Sequence, residues 1–161
     1  MIKRTWRYRL ALVVPVFVVS AGPVGATPTA AALEYAGAAA SASQALTLVN
    51  QERVRAGCAS LWIAARLQTP AARQSWDQAA RDGFGHDGTN GSTVDTRLSG
   101  LGYSRWGENV VQSQSAHAAV NFWSKSPRHR ANMLNCVFRQ TGLAVDRSNS
   151  GKLYWTQTFG G

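Results

Sequence analysis

The chain has 161 residues, 45% of them hydrophobic, and carries 17 basic against 8 acidic side chains, a formal charge of +9. That length suits one compact domain with a core of its own. The arginines are scattered, and no basic run is interleaved with aromatics. This argues against nucleic acid and for contact with anionic surfaces such as cell-wall polymers or lipid headgroups.

Residues 1–26 read as a secretory signal peptide. Lys3, Arg4, Arg7 and Arg9 precede an apolar run from Leu10 to Val19, and Val24-Gly25-Ala26 offers small residues for cleavage. The run is well short of the roughly 20 residues that cross a bilayer, and no second one follows, so the mature chain is expected to have no transmembrane segment. Loss of the four leader cations leaves a mature charge of about +5. Residues 27–42, rich in Ala, Thr, Pro and Gly, read as a flexible lead-in to a domain over 43–161.

Within that domain, Ser43 can cap a helix that runs to about Ala56 and stops at Gly57. Thr69-Pro70 predicts a second helix start, with Ala72, Trp76, Ala79 and Ala80 at helical spacing before Gly83. "GFGHDGTNG" (83–91) is a glycine-rich loop, and Ser92 or Thr93 opens a short helix carrying Val94 and Leu98. "GLGYSRWGENVV" leads into an extended piece. Ser115 opens a helix that buries Ala116, Ala119, Val120 and Trp123, and Ser126-Pro127 restarts a brief one ending near Leu134. Alternation in "QTGLAVD" and "KLYWTQTF", joined by the turn residues "RSNSG", predicts a β-hairpin. Helices first and antiparallel strands last argue for an α+β fold.

Cys58 and Cys136 are the two cysteines. An even count in an exported chain reads as one disulfide, whereas a metal site would need ligands at closer spacing. Closing a loop of about 79 residues stabilises a fold by roughly 4 kcal/mol in the chain-entropy model.

Metalloprotease HExxH, hydrolase GxSxG and P-loop motifs are all missing from the sequence. What remains for chemistry is His86 in the glycine-rich loop, Glu108 between Trp106-Gly107 and an apolar stretch, and His129. His117 reads as a solvated surface residue. Separations of 22 and 21 residues make His86, Glu108 and His129 weak as a site on spacing alone, since lone histidines are usually structural or exposed. His129, however, falls in the first turn of a helix between Arg128 and Arg130, where the dipole and both cations disfavour protonation. A neutral imidazole is what a divalent metal needs.

The blocks "LVNQERVRAGCASL", "FGHDG", "GYSRWGENVV", "AVNFWSKSPRHRANMLNCVFRQTGLAV" and "YWTQTFG" resemble, in order and spacing, the CAP superfamily (SCP domain) of cysteine-rich secretory, venom-antigen and pathogenesis-related proteins, and its bacterial secreted members most of all. The resemblance runs from about Ala45 to Gly160. It implies an α-β-α sandwich with a small antiparallel sheet between helical layers. It also implies a central cavity with two histidines and two acidic residues that can hold zinc or another divalent metal. His86, Glu108 and His129 match three of those positions. Ser126 stands where many eukaryotic members have the second glutamate, and its hydroxyl is expected to be occupied as the cap of the helix it precedes.

These readings predict a secreted, extracellular, monomeric binding module with a metal-capable cavity at His86 and His129, taking a lipid, sterol or cell-wall ligand. A metal-assisted, protease-like hydrolase using His86, Glu108 and His129 is the alternative. It is disfavoured because general acid/base chemistry needs a positioned pair of groups with separated pKa values, and one glutamate is evident. A purely structural protein is the third reading.

Overall fold

The computed structural model describes residues 27–161, so the expected signal peptide lies outside the described residues. Alanine-rich sequence costs little to hold as helix, and Thr29 provides a cap by accepting from the Ala32 N–H at 3.2 Å. Helix α1 therefore spans Ala30–Arg55. This corrects the expected flexible lead-in: its residues from Ala30 onward form the first half of α1, and Ser43 sits inside the helix. The end is as expected, with Gly57 in the left-handed region at φ +79°.

A two-residue strand β1 (Trp62–Ile63) runs directly into α2 (Ala65–Ala80). The helix thus starts before Thr69-Pro70, and Pro70 lies inside it without an N–H for the Arg66 carbonyl. Trp76 lies in α2 as its spacing predicts and is 64% exposed, because α2 lays Leu67, Ala71, Gln74, Ser75 and Gln78 on the sheet and turns Trp76 outward. Helix α3 (Val94–Leu98) has a capping box built by Thr93 and Thr96. Strand β2 (Trp106–Gln112), α4 (Ala116–Lys125), α5 (Pro127–Met133), β3 (Gln140–Arg147) and β4 (Leu153–Gly160) complete the chain. Ser115 caps α4, and Ala116, Ala119, Val120 and Trp123 form its buried face as predicted.

The sheet order is β1-β3-β4-β2. Its β3-β4-β2 part is antiparallel, while the short β1 edge is parallel to β3. Residues Tyr154 to Gly160 are all buried, because β4 is an inner strand with helices over both faces. On one face Leu143, Val145, Trp155 and Phe159 meet Val49 of α1, Trp123 of α4 and Met133 of α5 in the apolar core. The other face is polar and packs on α2. Gln78 donates to Thr156 at 2.8 Å, Ser75 to the Ala144 carbonyl at 3.1 Å, and Thr158 to the Leu67 carbonyl at 3.0 Å. The approach is so close that a Cβ on Gly142 would overlap the Leu67 carbonyl. This is an α-β-α sandwich.

Two tethers fasten α1 to the segment after α5. Cys58 and Cys136 are bonded, with their Cα atoms 5.0 Å apart and a sequence separation of 78. Arg53, fully buried, donates to the carbonyls of Ala59, Met133, Asn135 and Phe138 at 2.7–3.0 Å. Replacing both cysteines by serine is expected to lower unfolding stability by about 4 kcal/mol. Urea titration checks this, and an unchanged midpoint would show that Arg53 holds the junction alone.

Candidate functional site

The glycine-rich loop after α2 is fixed by side chains of α2 itself. Gln74 donates to the Gly85 carbonyl at 2.8 Å, and Gln78 accepts from the Gly85 N–H at 3.3 Å. Farther along, the Thr89 N–H donates to Asp77 at 3.1 Å. Held between these anchors, His86 keeps about half of its side chain exposed and points Nδ1 at Glu108.

Glu108 comes from β2, where it pairs with Thr158 of β4, and its side chain has no exposure. Oε1 accepts from His86 Nδ1–H at 3.0 Å, and both carboxylate oxygens accept from Arg97 Nη2 at 2.8 Å. Arg97 also donates to the His86 carbonyl at 2.6 Å and to the Ser92 carbonyl at 3.1 Å. The odd position of Glu108 in the sequence thus has its explanation: a buried carboxylate needs a cation, and α3 brings one. Arg97 was not foreseen. It lies eleven residues before Glu108, and no local pattern links the two.

His129 stands in the first turn of α5, beside Phe122 of α4 with ring centroids 5.6 Å apart. Its carbonyl accepts from Asn109 Nδ2 at 2.9 Å, while its Nδ1 is buried without a partner. Burial holds its pKa below the ordinary histidine value, and the nearby His86 adds to the shift. The expected direction is present, but the leading cause is desolvation and not the flanking arginines.

Ser126 departs from expectation. Its backbone joins α4 to α5, yet its hydroxyl makes no capping bond. Its ψ is 120°, whereas the residues that do cap, Thr29, Thr93 and Ser115, have ψ of 158°, 172° and 164°. His117 is exposed, as read.

Two imidazoles are the donors this site has for a metal. His86 has Nδ1 engaged, which leaves Nε2, and His129 carries a buried nitrogen without a partner. Both features suit a divalent ion. Glu108 is not a free ligand, since Arg97 and His86 occupy its oxygens, and among the described residues no group of three or more His, Cys, Asp or Glu is placed to hold a metal. The donor set fits an open site completed by water or ligand, not a closed four-ligand one.

This sandwich is the fold of the CAP/SCP domain. A family model described as CAP, the cysteine-rich secretory protein family, matches residues 46–159, and the chain belongs to that family. Its structure is similar to that of an extracellular SCP-domain protein from Bacillus anthracis, at 26% identity and a TM-score of 0.70, over 84% of this chain and 45% of that one. A cysteine-rich secretory protein from Staphylococcus aureus shares the fold at 20% identity and a TM-score of 0.60, over 76% of this chain and 38% of that one. An outer surface protein of Borrelia burgdorferi shares it at 17% identity and a TM-score of 0.65, over 71% and 87%. The chain therefore spans less than half the length of the Bacillus and Staphylococcus proteins. None of the curated proteins matches its sequence. Among the described residues no helix is long and apolar enough to cross a membrane.

Proposed function

We propose that this CAP-domain protein is a secreted binding module in which His86 and His129 hold a divalent metal beside a site for a lipid, sterol or cell-wall ligand. The observation that carries this reading is the state of Glu108. A general base must be free to accept a proton from water or substrate. Glu108 is fully buried, with Arg97 and His86 on its oxygens, so its work is to orient His86 and fix its proton on Nδ1. His86 and His129 would hold the metal, which when bound supplies a Lewis-acidic centre for one oxygen of a ligand. Export agrees with the leader-like segment at residues 1–26 and with the extracellular character of the Bacillus relative. The cationic surface favours anionic ligands, and the protein is expected to work as a monomer.

Calorimetric titration of the chelator-treated protein with Zn²⁺ tests the reading. Zinc should bind the wild type and be lost from His86→Ala and His129→Ala. Affinity should fall as pH falls, since protonation removes the lone pair a metal needs, and the lowered pKa of His129 keeps that imidazole competent to lower pH than an exposed one. Equal zinc affinity in wild type and both variants would sink the metal site. Hydrolysis of peptide, ester or peptidoglycan substrates above the His86→Ala control would replace the binding module with the hydrolase.

A further inference from the structure

A second groove, of about 810 Å³, lies between α2 and the 88–101 segment, with no histidine in its lining. Trp76 lines it with an indole that is 64% exposed, a large apolar face that neither the core nor the histidine site uses. Arg66, Arg73 and Arg97 also line it, against one acidic residue, Asp77. Its Oδ1 accepts from the N–H and hydroxyl of Thr89, and its buried Oδ2 lies 3.5 Å from Arg81 Nε without a hydrogen bond.

The three arginines differ in what they have left to give. Arg66 is committed to Tyr103, with Nε donating to its hydroxyl at 2.8 Å and the guanidinium 4.4 Å from the ring centroid. Arg73 makes no hydrogen bond or ion pair with any described residue, so its donors are open. Arg97 is 92% buried, and its Nε–H has no partner although its other nitrogens are satisfied. Arg97 therefore adds positive charge to the wall, while Arg73 holds the donors a ligand can reach.

We infer that this groove is a binding site for a short acidic saccharide, with a sugar ring lying on Trp76 and a carboxylate of the sugar received by Arg73. Asn90 and Thr96 in the lining place polar groups where sugar hydroxyls would lie. The flat indole suits the C–H face of a pyranose, and planar guanidinium groups suit a carboxylate. The volume lies within the range of about 300–1,000 Å³ usual for small-ligand sites. The groove shares Arg97 with the Glu108 ion pair, but its contacts through Trp76 and Arg73 involve neither histidine and do not depend on the metal reading.

Trigalacturonate, maltotriose and inorganic phosphate are the probes, titrated into the whole protein by calorimetry and followed by tryptophan fluorescence, with and without chelator. Trigalacturonate should bind saturably with or without zinc, and at least about tenfold tighter than neutral maltotriose. Trp76→Ala and Arg73→Ala should each weaken it by about tenfold, both being exposed positions where folding is not at stake. Trp62→Ala, an exposed tryptophan outside the groove, should change nothing. Full affinity in Trp76→Ala, binding that requires zinc, or phosphate bound as tightly as the trisaccharide would each overturn the inference. The last would reduce the groove to a patch for adventitious anions.

Discussion

Arg53→Met is expected to destabilise the protein by about 4 kcal/mol or more, with the chain fully oxidised. Four buried or half-buried carbonyls, those of Ala59, Met133, Asn135 and Phe138, receive their hydrogen bonds from this one guanidinium. Methionine fills much of the volume and supplies no donor, so each carbonyl is left with roughly 1 kcal/mol or more of unrecovered desolvation. Among the described residues no carboxylate pairs with Arg53. Burial, and secondarily the charge of Arg139, pull its pKa down, so the carbonyl dipoles alone support the charge. Arg53→Lys should fall between the two, since an ammonium brings three donors and no planar fork. The effect should add to reduction of the Cys58–Cys136 bond only in part, because both fasten the same two segments. Urea midpoints for the four combinations of variant and redox state settle this. A loss under 1 kcal/mol for Arg53→Met would mean that water or repacking satisfies the carbonyls.

Local features of the sequence carried over well where a single residue sets the geometry. Thr93 and Ser115 cap helices, Gly57 ends one, and the alternation of the last third forms the hairpin. The misses occur where tertiary context decides. Thr69-Pro70 looks like a helix start, but the chain leaves β1 already turning into α2 and carries the proline along inside. Trp76 has helical spacing with Ala72 and Ala80, yet α2 buries the stripe of Leu67, Ala71, Gln74 and Gln78 on a polar sheet face. Periodicity finds a helix, but its buried side is assigned by hydrophobicity, and here glutamines and serine face inward. The site divides in the same way. His86, Glu108 and His129 stand out by residue type and by the family resemblance, whereas Arg97, which decides what Glu108 can do, does not. Its role depends on α3 and β2 being neighbours in space, and the nearest sequence signal is the buried carboxylate's need for a counter-charge.

Glu108→Gln is the change that separates an orienting carboxylate from a catalytic one. The substitution keeps the shape but turns one carboxylate oxygen into an NH₂ donor. It removes the negative charge facing Arg97, whose side chain is 8% exposed. Breaking a buried ion pair from one side leaves the partner charged and dry, so a loss of about 3 kcal/mol is expected. The same change frees the His86 ring, since an amide can offer Nδ1 either an oxygen or an NH₂ group, and the fixed tautomer is lost. Zinc affinity should therefore fall along with stability. The double variant Glu108→Gln/Arg97→Gln tells the two effects apart. With both charges gone, much of the stability should return, because the penalty came from the unpaired guanidinium. Zinc affinity should stay low, because nothing then holds His86 with its proton on Nδ1. Urea unfolding and zinc calorimetry on the four members of the cycle give both quantities. Stability unrestored in the double variant would mean that Arg97 matters through its bonds to the His86 and Ser92 carbonyls. Zinc affinity unchanged in Glu108→Gln would remove the carboxylate from the metal site altogether.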